Sequence, residues 1–426
     1  MELKKIFLLF AQTFVTFPLN PFFWLLIVLI GTQYRRLARN DVKLFGRPLY
    51  TVRQQLTNSA VYGLAGGLIA GVTLFVLGIP LSEIGMLYVW PLALLLLLVH
   101  PRYLCFAYAG GIVGAVAAVI QFAGRFWPVF GTGIFTGLAE IHIPGLLALI
   151  GTLHFAESIL IAVSGHLLPS PVYLKTDSGI VGGFLLQKFW PLPLVGMMAE
   201  AVSLTAPEVA AGAEMPAWWP LFASRLAVGA GYTLMYYLLP IVAGLGYGDL
   251  AVASTPREKS KSSARNLGLY SILVLILALV AEKVPVITIA AAVFVPVGHE
   301  LLILWGNKKE FARPPLYTAP AAGAGVLAVT DGGAAQAAGL VPGDIILNIN
   351  GTPVLNVPAF YALLRTAWLP MQLLVERDGR ERLVIIDSTS DPGIIPVPDR
   401  YAPVYHTVEQ VHFWQALKKK LRRLKR

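Results

Sequence analysis

Two groups of polar side chains sit where apolar sequence surrounds them. His299 and Glu300 open a His-Glu pair of the kind zinc proteases use. That chemistry needs a second histidine four residues on, so that both imidazoles share one helix face with the glutamate as base. Position 303 is Ile303, and no substitute ligand follows nearby. His299 and Glu300 therefore read as polar groups packed inside a helical bundle. The second group is Glu140, His142, His154, Glu157 and His166. An ionisable group in lipid costs about 2.5–3.5 kcal/mol on insertion scales, so each asks for a partner or a role. On a helix, Glu157 lies about 60° from His154 and one turn away, whereas His166 lies about 120° round and shares that face poorly. His154 and Glu157 are read as an intramembrane polar pair whose hydrogen bond fixes bundle geometry. A proton relay or part of a metal site are the alternatives, and a metal would need a further ligand from Glu140 or His142. The single cysteine, Cys105, rules out an internal disulfide and is read as excluding cysteine-based metal sites. No catalytic residue, metal ligand or cofactor is assigned.

The elements that must position these groups are lipid-facing. The chain is 56% hydrophobic and 13% charged, against about 45–50% and about 25% for soluble domains. A helix needs about 20 apolar residues to cross a bilayer. Uncharged runs at 59–79 and 104–124 meet this, 84–99 is slightly short, and 218–246 is long, with Arg225 near one end. A final pair, 267–281 and 284–305, is split by Glu282 and Lys283. Residues 6–34 are broken by two prolines and form one kinked span or a re-entrant pair, while 130–168 and 189–204 supply two more. The expectation is an α-helical polytopic bundle of about eight spans. Arg35, Arg36, Arg39, Lys43, Arg47 and Arg53 share one loop with a single acid, Asp41, and Arg257, Lys259, Lys261 and Arg265 share another. The opposite loops hold Glu83, Glu208 and Glu214. Basic loops stay on the cytoplasmic side, which puts the C-terminal third there. The formal charge of +10 is then topology, and no nucleic-acid partner follows from it.

After Arg313 the texture changes to short strands and turns, which predicts a small, mostly β α/β domain. Gly325–Val329 reads as a strand, Asn350-Gly351 as a two-residue hairpin turn, 357–366 as a helix, and Asp378-Gly379 as a second hairpin turn. The run from Ala338 through Gly339, Pro342, Gly343 and Asp344 to Asn350-Gly351 closely resembles the core motif of bacterial PDZ domains. That resemblance covers about 316–387. It implies a groove that takes an extended peptide as an added strand, lined by Gly323, Ala324, Gly325, Val326, Leu327, Ala328 and Val329 and faced by Val357, Phe360, Tyr361 and Leu364. The domains expected are a transmembrane region at 1–306, a linker at 307–315, the PDZ domain at 316–390, and a proline-containing tether with a basic tail at 391–426. A bundle followed by a cytoplasmic PDZ domain resembles the MinJ family of division-site topology factors. The stretches around His154 and around His299 are similar to that group too. The resemblance implies an adaptor at septum and poles that links DivIVA-type and MinD-type proteins.

Two further features bear on partners. Gly63, Gly66 and Gly67, and Gly110, Gly111 and Gly114, are spaced to let helices pack closely. Residues 418–426 hold seven bases in nine positions, and Trp414, Leu417, Leu421 and Leu424 share a helical face. That is a basic amphipathic helix suited to anionic lipids of the inner leaflet. The leading reading is a membrane-anchored scaffold that recruits cytoplasmic proteins. An intramembrane protease or signalling peptidase related to site-2 proteases, disfavoured by Ile303, and a proton-coupled transporter using His154 and Glu157 are the alternatives.

Overall fold

The computed structural model describes residues 2–176, 179–387, 391–399 and 406–407. The N-terminal part opens with α1 (Glu2–Val15) and α2 (Pro21–Phe45), two helices bent by 57° across Pro18 and Asn20. Pro21 sits in the first turn of α2, where its missing N–H costs nothing, and the Asn20 side chain caps it. Next come α3 (Val52–Leu77), α4 (Met86–Val99), α5 (Phe106–Ala123), the single turn α6 (Thr136–Ala139) and α7 (Ile143–Ser164). After a β-sheet region, α9 (Pro256–Lys283) and α10 (Thr288–Phe311) close the bundle, with the short α8 (Pro207–Ala211) between the sheet strands. Capping boxes from Thr51 with Gln54 and from Thr255 with Glu258 start α3 and α9. Buried on most of its surface, α7 is the central helix and packs on α3, α5 and α9.

Among the described residues, five helices are long and apolar enough to cross a membrane, or six if α1 and α2 together make one span. With 14 residues, α4 is about 21 Å long, short of a hydrocarbon core of about 30 Å. The expected spans at 189–204 and 218–246 are not helices. Strands β1 (Ser170–Thr176), β2 (Gly179–Ser203) and β3 (Tyr232–Ala251) occupy this region, and β2 and β3 pair antiparallel from Phe184↔Ala251 to Ser203↔Tyr232. Prolines explain the difference. Single interior prolines are carried by α4 (Pro91) and α10 (Pro296). Pro191 and Pro193, two residues apart, would remove two N–H groups and crowd the same turn, and β3, with its Pro240, pairs along the strand they form.

A strand accepts them at an unpaired edge. The carbonyls of Pro191 and Pro193 turn towards α3. A Cβ on Gly63 would lie 2.3 Å from the Pro191 oxygen, one on Gly67 1.9 Å from the Pro193 oxygen, and one on Gly71 3.0 Å from the Val195 nitrogen. A strand residue's N–H and C=O point the same way, so the missing proline N–H groups face α3 as well. The spacing also matches: four helix residues rise about 6 Å and two strand residues about 6.6 Å. The first glycine stripe thus receives a strand, with only Gly66 meeting a helix, at Leu160. The second stripe does pack helices, Gly110 against Ile150 of α7 and Gly111 against Pro296 of α10.

The C-terminal domain runs β4 (Ala324–Val329), α11 (Ala334–Ala337), β5 (Ile345–Ile349), β6 (Thr352–Pro353), α12 (Val357–Thr366), β7 (Met371–Arg377), β8 (Arg380–Ile386) and β9 (Ile394–Pro396). Its sheet order is β8-β7-β5-β4-β9. Both two-residue turns form as expected, with positive φ at Asn350 and Gly351 and at Asp378 and Gly379. The fully buried Asp344 carboxylate takes two hydrogen bonds from the Arg377 guanidinium, at 2.5 and 2.6 Å. The stretch expected as a tether supplies β9 and then β10 (His406–Thr407), which pairs parallel to β1. Residues 408–426, with the basic amphipathic tail, lie outside the described residues.

Candidate functional site

The first candidate site is the edge of β4. Its residues from Gly323 to Ala328 are buried, and Val329 is half-buried. One edge pairs with β5 and the other with β9, through Val326↔Pro396, Ala328↔Ile395 and Val329↔Ile394. The Val397 N–H donates to the Gly325 carbonyl at 2.7 Å, and the Thr330 N–H to the Gly393 carbonyl at 2.8 Å. An exposed edge was expected at β4, but the chain's own C-terminal segment holds it. The physical reason is local: Ile394, Ile395 and Val397 are apolar and bury fully when they dock there. Of the helix residues, Phe360 is fully buried in the domain core, Val357 and Leu364 are half-buried, and Tyr361 is exposed. Gly323, at φ +88, approaches the Ile346 carbonyl so closely that a Cβ would lie 2.7 Å from it.

The domain is held on the bundle by backbone bonds. Gly182 N–H donates to the Tyr317 carbonyl and Leu316 N–H to the Val252 carbonyl, both at 2.8 Å. Tyr173 adds a hydroxyl bond of 2.9 Å to the Pro396 carbonyl, so β9 touches both halves. Beneath this contact the buried Glu310 carboxylate at the end of α10 accepts from the Val252 and Ala253 N–H groups and the Ser254 hydroxyl. Lys259 reaches Asp249 at 3.2 Å in the same network. Nearby, Lys188 on β2 is fully buried, and burial lowers its ammonium to about 8. His166, just past α7, is also held below its ordinary value, by burial first and then by Arg257, Lys188 and Lys261.

The second candidate site lies inside the bundle. No hydrogen bond or ion pair joins His154 to Glu157, which corrects the expected pair. His154 instead donates from Nδ1 to the Ile150 carbonyl at 2.8 Å, and its Nε2 faces the Cys105 sulfur at 3.2 Å. The His299 Nε2 approaches the same sulfur at 3.9 Å. The ligand-type atoms of Cys105, His154 and His299 all lie within 4.8 Å of one another. Rings of Tyr108 and Tyr270 wall the group, edge-on to His299 at 5.1 and 5.8 Å between centroids. Glu300 turns away from it, bonded to Arg102 and to the Tyr108 hydroxyl.

The other polar residues fall elsewhere. His142 bonds Glu282 of α9 at 2.8 Å, and twelve residues of α7 put it about 18 Å from His154. Glu140 ends the α6 turn near that same end of α7. Neither supplies the further ligand considered beside His154. Sequence reasoning missed Cys105 as a partner, because only tertiary packing brings the start of α5 to the middles of α7 and α10. The available signal was a cysteine placed where a helix begins, beside lipid-embedded histidines.

Residues 325–377 match the family model described as a PDZ domain. Over 355 residues the chain is 25% identical to the cell division topological determinant MinJ of Bacillus subtilis (strain 168), covering 82% of this chain and 84% of that protein. With five or six helices able to cross a membrane, the chain is a multi-pass membrane protein carrying a C-terminal PDZ domain, similar along most of its length to that determinant.

Proposed function

We propose that the protein is a membrane-anchored adaptor whose PDZ domain faces the cytoplasm and gathers division-site proteins of the DivIVA and MinD type at septum and poles. The observation that carries this reading is the seating of a peptide-binding fold directly on the base-rich end of a helical bundle. Arg257, Lys259 and Lys261 begin α9 on that side and Lys308 and Lys309 end α10, the charge bias of cytoplasmic loops. Anchoring confines the groove to two dimensions and raises its effective concentration for partners that also touch membrane.

In this reading a partner strand pairs with β4 after taking the place of β9, with Val357, Tyr361 and Leu364 on the facing helix. The β9 segment then acts as a built-in competitor that sets how strong a ligand must be. The basic tail adds contact with anionic lipid. Proximity labelling from the PDZ domain in cells, together with imaging of the tagged protein, tests the proposal. Enrichment of division proteins at septum and poles supports it. A uniform membrane signal without such neighbours, or a tag after Arg426 reachable by protease outside intact cells, overturns it.

A further inference from the structure

Beyond the adaptor reading, the geometry points to a metal site: we propose that Cys105, His154 and His299 bind one divalent zinc-class ion inside the bundle, with a fourth position left for water or another small ligand. Three elements converge to make it. Cys105 is the N-cap of α5, and its sulfur accepts the Ala107 N–H at 3.4 Å. The thiolate is the form that ligates, and a bound divalent cation is what stabilises it. His154 comes from the middle of α7 and His299 from the middle of α10.

The tautomer of His154 is already the one a metal needs. Its Nδ1–H is committed to the Ile150 carbonyl, which leaves the Nε2 lone pair aimed at the sulfur. A backbone carbonyl behind the far nitrogen is the usual support for a ligating imidazole. His299 supplies the second, independent observation. It is buried, its Nδ1 has no hydrogen-bond partner, and its Nε2 has only the sulfur, at 3.9 Å. A buried imidazole with so little to bond is poorly explained as packing.

The distances fit an ion. Bonds of about 2.3 Å to sulfur and about 2.05 Å to nitrogen at a tetrahedral angle put S and N about 3.6 Å apart. The two sulfur–nitrogen separations, 3.2 and 3.9 Å, bracket that value. One thiolate and two imidazoles select a borderline or soft metal and disfavour calcium and magnesium, which want oxygen ligands. Two neutral imidazoles and one thiolate leave a net positive charge on the loaded site. Glu157, one helical turn beyond His154, is the carboxylate placed to offset it, while Glu300 is already paired with Arg102.

The test uses the full-length protein purified in detergent, loaded with Zn2+ alone, desalted and analysed for bound metal. About one zinc per chain is expected. Cys105→Ser, His154→Gln and His299→Gln should each weaken binding by more than the roughly 10–100-fold that loss of a supporting hydrogen bond costs. His142→Gln and His166→Gln should leave it unchanged. Because a bundle variant can misfold, the unmodified protein supplies a second readout. Co2+ should give a thiolate-to-metal absorption band, and Zn2+ should slow maleimide labelling of Cys105, the chain's only thiol. Zinc held equally by the wild type and the three ligand variants, or Co2+ bound without a thiolate band, overturns the site.

Discussion

The molecule contains two sheets that each present a strand edge to a neighbour, and they close it in different ways. In the membrane half, the outer edge of β2 lies against α3. Pro191 and Pro193 remove two of the N–H groups that would need partners, and Gly63, Gly67 and Gly71 let the helix come within contact of the strand backbone. In the PDZ domain the outer edge of β4 keeps its donors and acceptors, and a three-residue strand, β9, covers them. The first closure is built from backbone shape and has no open form that keeps its packing. The second is built from ladder hydrogen bonds that another strand can supply equally well. A permanent seam and an exchangeable one thus stand in a single chain.

The seam on β2 should be the more costly to disturb. Gly67→Ala drives a Cβ into the Pro193 carbonyl, and we expect a loss of more than about 4 kcal/mol, seen as failure to recover folded protein in detergent. Gly31→Ala, on α2 with nothing within 4 Å, is the control and should be neutral or slightly stabilising. A normal thermal midpoint for Gly67→Ala would show that the seam yields.

A second prediction concerns Lys188, buried on the same strand. Its folded ammonium sits at about 8, below the ordinary lysine value near 10.4. The unfolded chain therefore binds more protons between those values, so stability rises with pH across about 8 to 10.5. Lys188→Met should stabilise by up to roughly 3 kcal/mol at pH 7, and its advantage should shrink as pH climbs through that window. A pH-independent gain in thermal midpoint would refute the assignment.

The seam on β4 should open more gently. Ile395→Asp places a charge where a buried isoleucine seats β9, at a cost of about 2 kcal/mol. Amide exchange should then speed up at Thr330, which bonds Gly393, and not at Val326, which bonds Asp344 on the β5 side. If both amides accelerate together, β9 belongs to the cooperative core and is not exchangeable. The smallest effect should come from Arg47→Ala. The Arg47–Asp391 pair, at 3.1 Å, flanks β9 but Asp391 is well exposed. Its loss should cost less than about 1 kcal/mol and vanish at high salt.

The PDZ domain was legible because its signals are local. Asn350-Gly351 and Asp378-Gly379 demand positive φ wherever they occur, and the helix at 357–366 carries its own pattern. The β2–β3 hairpin was not, because apolar sequence long enough to cross a membrane satisfies a buried strand just as well. The close pair Pro191 and Pro193 was the signal against helix. For the bundle site, His154 and His299 stood out as polar residues in lipid-facing sequence. Their juxtaposition with Cys105 could not be read, since nothing along the chain records which helix middles meet. The covering of β4 was hidden for the same reason, as β9 lies some 65 residues downstream of the strand it pairs with.

The length of the hairpin has its own consequence. Twenty consecutive rungs join β2 to β3, and at about 3.3 Å per residue the ladder is roughly 63 Å long, about twice the hydrocarbon thickness. It runs beside α3 and then outreaches it, while Gly182 at its near end is bonded to Tyr317 at the threshold of the PDZ domain. The arm is therefore rooted through the backbone at the base of the PDZ domain, which couples the position of the hairpin to that of the domain.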